Sequence, residues 1–350
     1  MGDKYDWIGS GSPEVARILD ANLDRAREGL RVIEEWCRFG LNHGEFTQAC
    51  KHLRQEVADW HSPEIRTFRN TPGDLGTELT HPQEAIRSTV PQILQVNFAR
   101  VQEALRVLEE YGKLVSPDMG SAFKRMRYRV YTLESHLAIY PRRSKLLQAR
   151  LYLVTAPTEN LIAVVESALQ GGLTLVQYRD KQVDSRVLLD NSQRLCQLCH
   201  QYGALFIVND RPDIAAAVDA DGVHLGQQDL TIAAARKILG PDRIIGRSTT
   251  NPDEMAQAIA EGADYIGVGP VYETPTKAGK AAAGTAYVRH AVAHATVPWF
   301  AIGGIDLTNL PEVLAAGAER VAVVRAIMQA EVPNQITQTF LTHLSPTPPL

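Results

Sequence analysis

The sequence predicts a two-domain α/β protein, in which an all-α helical domain precedes a closed (βα)8 TIM barrel. Its 350 residues are enough for two domains. Residues 14–135 show helical periodicity, whereas from about residue 148 eight apolar runs alternate with helix-like segments. Eight strand–helix units in about 200 residues favour a closed barrel over an open sheet. We therefore assign residues 1–145 to a helical domain and residues 146–340 to the barrel.

The helical domain contains an internal repeat. ANLDRAREGLRVIEEW at 21–36 aligns with VNFARVQEALRVLEEY at 96–111, at an offset of 75 residues. A weaker match follows, between ACKHLRQEV at 49–57 and AFKRMRYRV at 122–130. Each copy should thus be a pair of helices, and the two copies a small pseudo-symmetric bundle. A Gly/Pro-rich loop at 71–82 separates them.

The repeated residues allow two interpretations of this domain. Leu23, Ala26, Leu30 and Ile33 recur at helical spacing and should form its core. The shared polar residues are typical of a solvated, salt-bridged face on a domain that only packs, dimerises or stiffens. Alternatively, two copies of Asn-x-x-Arg-x-x-Glu facing each other form a polar pocket. No G-x-x-x-x-G-K phosphate loop is present.

The barrel strands are predicted from their apolar character and the turn residues around them. They are ARLYLVT (149–155), LTLVQYR (173–179), ALFIVND (204–210), GVHLG (222–226), IIGRST (244–249), YIGVGP (265–270), VPWFAIGG (297–304) and RVAVVRA (320–326).

Polar residues and glycines collect where these strands end, which in this fold is the active-site face. In strand order they are Gln177, Arg179 and Lys181; Asn209 and Asp210; His224, Gln227 and Asp229; Ser248; Thr274, Pro275, Thr276 and Lys277; Gly303 and Gly304; and Val324 and Arg325.

The residue types narrow the chemistry of this face. Arg179, Lys181 and Lys277 are three cations aimed at one space, which suits a polyphosphate. Asp210 and Asp229 follow adjacent strands and could share Mg²⁺, with substrate phosphate completing the coordination. The glycines after strand 7, with the start of the strand 8 loop, match a second phosphate position. Two phosphorylated ligands, or one long one, and a metal are implied.

Each residue taken alone has a simpler explanation. Asp229 precedes LTIAAARKIL and could cap that helix, while Asp210 could be a turn residue. Ser248 and Thr249 could cap the helix that follows them, and His224 could be a core histidine. Their convergence on one face of one fold favours function.

Six ordered motifs then resemble the thiamine-phosphate synthase family over residues 150–330. They are QYRDK (177–181), VND (208–210), GVHLGQQD (222–229), IGRST (245–249), GVGPVYETPTK (267–277) and AIGGI (301–305). The resemblance implies a Mg²⁺-dependent transferase of thiamine biosynthesis. It would join hydroxymethylpyrimidine diphosphate to a thiazole phosphate, giving thiamine phosphate and pyrophosphate.

The resemblance also implies residue roles. The pyrimidine diphosphate would be bound by Gln177, Arg179, Lys181, Asn209, Ser248 and Lys277, of which Arg179, Lys181, Ser248 and Lys277 would be catalytic. Asp210 and Asp229 would hold Mg²⁺. The thiazole phosphate would contact Thr274, Pro275, Thr276, Gly304, Val324 and Arg325.

Two positions depart from the family pattern. Thr250 stands where His is frequent, and Arg325 where Ser is common. The helical region resembles regions fused ahead of the synthase in some bacterial chains. We expect it to scaffold the barrel; the alternative is a kinase or handling module for the pyrimidine precursor.

Composition excludes several other classes of protein. Lys and Arg number 36 and Asp and Glu 40, so a nucleic-acid surface is not expected, and no apolar run is long enough for a membrane span. The sequence CQLCH (196–200) matches a haem-attachment pattern, but its helical setting predicts core cysteines. A cytoplasmic protein that could form a homo-oligomer is expected. Rival functions are a sugar-phosphate isomerase or aldolase, a thiazole-isomerising relative and a phosphate-ligand sensor.

Overall fold

A computed structural model describes residues 12–70, 87–274 and 282–345. The chain divides into two compact units, Met1–Ala138 and Ile139–Leu350. The predicted domain boundary at residue 145 falls inside a helix and stays a prediction. None of the described helices is both long and apolar enough to cross a membrane.

The first unit is all-helical, as predicted. Its helices are α1 (Pro13–Glu35), α2 (Gly44–Ala58), α3 (Pro63–Arg66), α4 (Val90–Gly112) and α5 (Pro117–Gln148), whose last residues belong to the second unit. Ser12 caps α1 and Thr89 caps α4, each accepting a hydrogen bond from a first-turn backbone N–H. A π-helical turn, Trp36–Gly40, ends α1. The two helix pairs, α1 with α2 and α4 with α5, confirm the predicted repeat.

The two copies share a core and a buried ionic pattern. The predicted core residues Leu23, Ala26, Leu30 and Ile33 are all fully buried. Glu34 is buried and accepts hydrogen bonds from Arg31 (3.3 Å) and Arg54 (2.9 Å). Glu109, its counterpart 75 residues on, accepts them from Arg106 and Arg127, each at 3.0 Å. Both carboxylates are therefore compensated in the same way, which a buried charge requires.

The second unit is a closed barrel of eight parallel strands in sequence order, which confirms the predicted fold class. The strands are β1 (Leu151–Val154), β2 (Leu175–Tyr178), β3 (Leu205–Asn209), β4 (Gly222–Leu225), β5 (Ile244–Thr249), β6 (Tyr265–Val268), β7 (Trp299–Ile302) and β8 (Val321–Val323). The helices are α6 (Leu161–Gln170), α7 (Ser185–Gln201), α8 (Pro212–Ala217), α9 (Ile232–Leu239), α10 (Pro252–Ala260), α11 (Gly284–His294), α12 (Leu310–Ala315), α13 (Arg325–Met328) and α14 (Pro333–Leu344).

Alternation along the strands separates two cores. Val176 and Tyr178 of β2 face the helices, whereas Leu175 points into the barrel with Tyr152, Tyr265 and other interior residues. Gly246 makes room for the Tyr265 ring, since a Cβ there would lie 2.1 Å from the ring carbon Cζ. The barrel interior is thus packed at its amino-terminal side, and only the carboxyl ends of the strands are left for a site.

Candidate active site at the carboxyl ends of the strands

A cluster of one cation and two carboxylates lies where β2, β3 and β4 end. Lys181 Nζ lies 2.8 Å from Asp210 Oδ2. Asp210 takes a left-handed backbone conformation, with φ at 61°, and its N–H donates to the His224 carbonyl at 2.8 Å. This conformation is costly for a residue with a side chain and is typical of functional turns. The strained turn directs the Asp210 carboxylate toward Lys181 and Asp229.

The Asp210 and Asp229 carboxylates interact directly, and their pKa values shift in opposite directions. Burial acts to raise the pKa of Asp210, but the hydrogen bond with Asp229 and the Lys181 ammonium outweigh it and lower that pKa. Burial, and then the hydrogen bond with Asp210, raise the pKa of Asp229. Two acidic oxygens close enough to share a proton are also close enough to share a cation.

This donor set fits Mg²⁺ better than a metal bound by protein alone. No group of three or more His, Cys, Asp or Glu residues among the described positions could enclose a metal. Mg²⁺ is usually held by one or two carboxylates, while substrate phosphate and water supply the remaining oxygens. Asp210 and Asp229 therefore suit a metal that arrives with a phosphorylated substrate.

The loop that carries Asp229 is held by a hydrogen bond of its own and by hydrogen bonds from strand β5. Asp229 Oδ2 accepts the Gly226 N–H at 2.7 Å, and helix α9 is capped by Thr231. The helix-cap interpretation of Asp229 is therefore wrong. Arg247, buried on β5, donates to the carbonyls of Leu230 at 3.1 Å and Gln227 at 3.4 Å. The loop is thus fixed to the barrel wall, which fixes Asp229.

A chain of hydrogen bonds crosses the barrel interior beneath the carboxylates. Gln177 Nε2 donates to the Tyr152 hydroxyl at 2.7 Å, and the hydroxyls of Tyr152 and Tyr265 are 2.7 Å apart. His224 bonds Tyr265 through Nδ1 (3.0 Å) and Ser248 Oγ through Nε2 (2.9 Å). Burial raises the pKa of both tyrosines, so both phenols stay protonated donors. Two predicted binding residues, Gln177 and Ser248, are therefore joined by a continuous polar chain.

The simpler explanation for Ser248 and Thr249 is also wrong, whereas that for His224 stays open. Helix α10 is capped by Asn251, which accepts the Glu254 N–H at 2.9 Å. His224 is 9% exposed, as a core histidine would be, yet its ring bonds a candidate site residue.

Two predicted binding residues of this face, Arg179 and Asn209, have side chains without a partner among the described residues. Arg179 is held by its backbone, since its N–H donates to Thr155 Oγ1 at 2.9 Å. Within the described ranges, neither its guanidinium nor the Asn209 carboxamide has a hydrogen-bond partner. Both groups are available to a ligand.

A cavity of 310 Å³ lies at the same end of the barrel, where β6, β7 and β8 end. It brings together five of the predicted residues, Thr274, Gly303, Gly304, Val324 and Arg325. Gly303 and Gly304 have φ angles of 111° and 67°, which glycine alone adopts readily. A side chain at Gly303 would also collide with Pro270, since its Cβ would lie 2.5 Å from the Pro270 Cα. The glycines therefore let bare backbone line the cavity.

Some predicted residues lie outside the described part of the chain, and some observed ones were not predicted. Pro275, Thr276 and Lys277 fall in the undescribed range 275–281. Tyr152, Tyr265 and Arg247 were missed because they lie inside strands, where apolar packing is the usual expectation. Asp306, which lines the cavity near Arg325, was missed as an ordinary loop residue. The Gly246 opposite Tyr265 was the one available signal of a large inward ring.

The haem-like motif has an ordinary structural role. Cys196 and Cys199 are buried on α7, which confirms the predicted core cysteines. His200 lies on the same helix and bonds Asp221, with 2.9 Å between Nε2 and Oδ2.

Two sequence families match separate parts of the chain. The thiamine monophosphate synthase family matches residues 151–327, which include all eight strands. The ThiD2 family matches residues 17–136, within the helical unit.

Curated relatives match nearly the whole chain. The thiamine-phosphate synthase of Nostoc sp. (strain PCC 7120) is 66% identical over 95% of this chain and 94% of the relative. That of Synechocystis sp. (strain PCC 6803) is 63% identical over 95% of this chain and 96% of the relative. Among solved structures, thiamine phosphate pyrophosphorylase from Pyrococcus furiosus is similar, with a TM-score of 0.52 and 38% identity. That match covers 58% of this chain and 96% of the Pyrococcus chain.

Proposed function

The chain belongs to the thiamine-phosphate synthase family, a family of transferases of thiamine biosynthesis, and from this premise we propose how its barrel works. The barrel joins hydroxymethylpyrimidine diphosphate to a thiazole phosphate with Mg²⁺ bound. The observation that carries the proposal is the pairing of two anion-binding positions on one face. The Lys181–Asp210–Asp229 cluster lies at the ends of β2 to β4, and the glycine-lined cavity at the ends of β6 to β8.

The diphosphate is bound at the first position. Lys181 and Arg179 contact its oxygens, and Lys277 is the third cation by resemblance to the family. Asn209 and Ser248 donate further hydrogen bonds, and Gln177 contacts the pyrimidine. Because the hydrogen-bonded chain through the barrel fixes Gln177 and Ser248, both reach the ligand already oriented.

Asp210 and Asp229 hold Mg²⁺ at the same position. When bound, the metal neutralises diphosphate charge and so makes pyrophosphate a better leaving group. The protein contributes by keeping the two carboxylates in place, through the Asp210 turn and the Gly226 N–H that binds Asp229.

The thiazole phosphate binds at the second position. Backbone groups at Gly304, Val324 and Arg325 line its cavity with Thr274. Arg325 stands where Ser is common, and its guanidinium supplies an additional cation there. Pro275 and Thr276 complete the set by resemblance to the family.

Bond breaking precedes bond making in this proposal. The bond between the pyrimidine methylene carbon and the diphosphate oxygen breaks, and its electron pair leaves with pyrophosphate. The thiazole nitrogen then donates its lone pair to the methylene cation, which forms thiamine phosphate. No proton has to be removed from the nucleophile, so the site needs charge stabilisation and exclusion of water rather than a general base.

The test is pyrophosphate release by the purified chain. We expect release to require both substrates and Mg²⁺, and Asp210→Ala to reduce it at least about 100-fold. Asp213→Ala is the matched control, since Asp213, three residues after Asp210, is an exposed carboxylate paired with Arg211. A folded wild-type chain that binds both ligands without releasing pyrophosphate would favour the sensor instead.

The prediction for the helical unit remains that it scaffolds the barrel. The alternative is a kinase or handling module for the pyrimidine precursor. Phosphorylation of the precursor by the full Asp210→Ala chain would contradict the scaffold. The cytoplasmic location and the possible homo-oligomer also stay predictions.

A further inference from the structure

Thr155, which directly follows strand β1, contacts the end of strand β2. Its N–H donates to the Gln177 carbonyl at 2.9 Å, and its hydroxyl oxygen accepts the Arg179 N–H, also at 2.9 Å. Thr155 is fully buried, so water does not compete for either hydrogen bond. Strand β1 supplies none of the sequence-predicted site residues, yet the residue at its end holds two of them.

The Thr155 hydroxyl ends the regular pairing of β1 with β2. Val154 and Gln177 are the last residues of the two strands that pair in register. Regular parallel pairing beyond them would give the Arg179 N–H a backbone carbonyl of β1 as its acceptor. The Thr155 side chain takes that role instead. The direction in which the chain leaves β2 therefore depends on this hydroxyl.

The chain on either side of Arg179 is fixed by other contacts. Tyr178 is buried among the barrel helices, where its hydroxyl accepts a hydrogen bond from Asn191 Nδ2 at 3.1 Å. Asp180 Oδ1 accepts the Gln182 N–H at 2.9 Å, which forms a tight turn. Between these two points, Thr155 Oγ1 lies 2.9 Å from the Arg179 nitrogen and 3.5 Å from the Arg179 carbonyl oxygen.

The Arg179 side chain depends on this backbone more than its neighbours do. Gln177 is held a second time through its side chain, which donates to the Tyr152 hydroxyl, and the Lys181 ammonium pairs with Asp210. The Arg179 guanidinium has no such partner in the part of the chain that the structure describes. A long side chain with several free rotations is directed only by the backbone from which it starts.

We propose that Thr155 is a positioning residue for the pyrimidine diphosphate, and that it acts by directing Arg179 toward the diphosphate oxygens. The inference rests on the proposed function of the barrel, in which Arg179 binds that group. Thr155 is itself buried and does not contact the substrate. Loss of the hydroxyl leaves the guanidinium its charge but removes its direction, so affinity for the diphosphate falls.

Two substitutions at position 155 separate positioning from packing. Thr155→Val keeps the shape of the side chain and removes the hydroxyl. By calorimetry, we expect it to raise the Kd for the pyrimidine diphosphate with Mg²⁺ about tenfold and to leave the Kd for the thiazole phosphate unchanged. Thr155→Ser keeps the hydroxyl and removes a buried methyl group. Its stability in urea should fall, while both Kd values stay within about twofold of wild type.

Thr337→Val is the matched control for the loss of a buried hydroxyl. Thr337 is also fully buried in the second unit, and its hydroxyl has no hydrogen-bond partner among the residues that the structure describes. The control should change neither Kd. Equal weakening of diphosphate binding by Thr155→Val and Thr155→Ser would overturn the inference.

A double-mutant cycle shows whether Thr155 acts through Arg179. Arg179→Ala should itself weaken diphosphate binding, and Thr155→Val should then add less than about a twofold further loss. The same loss from Thr155→Val with and without Arg179 would contradict the inference. Inorganic pyrophosphate with Mg²⁺, as a second probe, should respond to both substitutions in the same way. If it does so in a chain that releases no pyrophosphate from the two substrates, the role of Thr155 is supported and the proposed barrel reaction is contradicted.

Discussion

In the hydrogen-bonded chain from Gln177 to Ser248, only one direction of donation gives both tyrosine hydroxyl protons an acceptor within the chain. Tyr152 accepts from Gln177, so its own proton goes to Tyr265, and the Tyr265 proton goes to His224 Nδ1. His224 then donates from Nε2, and the Ser248 hydroxyl donates to an acceptor other than His224. In the opposite direction the buried Tyr152 proton would have no acceptor in the chain, which is costly. The interior of the barrel thus sets Ser248 as a donor.

Tyr265→Phe tests this chain at its centre. The change leaves the Tyr152 proton and His224 Nδ1 without their partner, so we expect unfolding free energy to fall by about 2 kcal/mol. We also expect kcat/KM for the pyrimidine diphosphate to fall about tenfold, because Ser248 loses its orientation. Urea unfolding and steady-state kinetics measure the two effects.

Tyr202→Phe is the control for that change, since its exposed hydroxyl makes only 3.4 Å contacts. Loss of stability in Tyr265→Phe with unchanged kinetics would show that the chain only holds the barrel together.

The His200–Asp221 pair makes stability depend on pH. The hydrogen bond to Asp221, and then Cys196, raise the pKa of His200 to about 10. Because the pKa of His200 is raised in the folded state, the protonated imidazole stabilises the fold fully below the unfolded-state pKa of about 6.5. That stabilisation is lost as the pH rises toward 10. We expect His200→Gln to lower unfolding free energy at pH 6 by no more than about 1 kcal/mol, because solvent screens the half-exposed imidazole. The difference from wild type should shrink steadily by pH 10, and a difference that grew with pH would contradict the assignment.

Single residues were predictable where their chemistry is unusual for their position. Charged residues directly after buried strands, such as Lys181 and Asp210, indicated the site because solvent-exposed turns rarely need such a set together. Tyr152 and Tyr265 gave no such signal, since a tyrosine in a buried strand is common. The choice between helix cap and ligand for Asp229 needed coordinates, because Thr231 two residues later can cap equally well.

At the scale of elements, the loop from β7 to α12 is built by its glycines. Gly303 and Gly304 turn the chain across the strand end, and Asn309 Nδ2 donates back to the Gly304 carbonyl at 2.8 Å. The loop can therefore present backbone to the cavity without a side chain between them.

Gly304→Ala tests the loop. The new Cβ would lie 2.9 Å from the Tyr272 Cβ, at a backbone conformation that costs alanine about 1–2 kcal/mol. We expect KM for the thiazole phosphate to rise about tenfold, while binding of the pyrimidine diphosphate changes little. Gly262→Ala is the control, with φ at 87° and open space around its Cβ position. It should show a similar loss of stability without the change in KM.

Elements were predicted well where periodicity is long and less well where it ends. All eight strands were found because each is a short apolar run between turns. The helical pattern to residue 135 did not reveal the break after α1 or the extension of α5 to Gln148. Gly40 packs against the Trp36 ring in that break, and a tertiary contact of this kind leaves no periodic signal.

For the whole molecule, the fold followed from the order of its patterns, whereas the role of the first unit did not. The barrel motifs occur in an order and spacing that indicate both fold and reaction. The helical unit has a repeat but no motif tied to a reaction, and its charged residues could have been ordinary ion pairs. Only the geometry shows that Arg31 and Arg106 form ion pairs, whereas Arg25 and Arg100 line a cavity between α1 and α4.

The 75-residue offset between α1 and α4 has an evolutionary consequence. A cavity between α1 and α4 is lined by both copies of the repeat. Such an arrangement is what a symmetric homodimer becomes when its gene is duplicated and fused. In such an ancestor every cavity mutation would have appeared twice, once from each subunit. Fusion allowed the copies to diverge, and the cavity already shows it where Gly29 in one copy corresponds to Ala104 in the other. The two halves of the unit can therefore take on different side chains, which an exact dimer could not evolve.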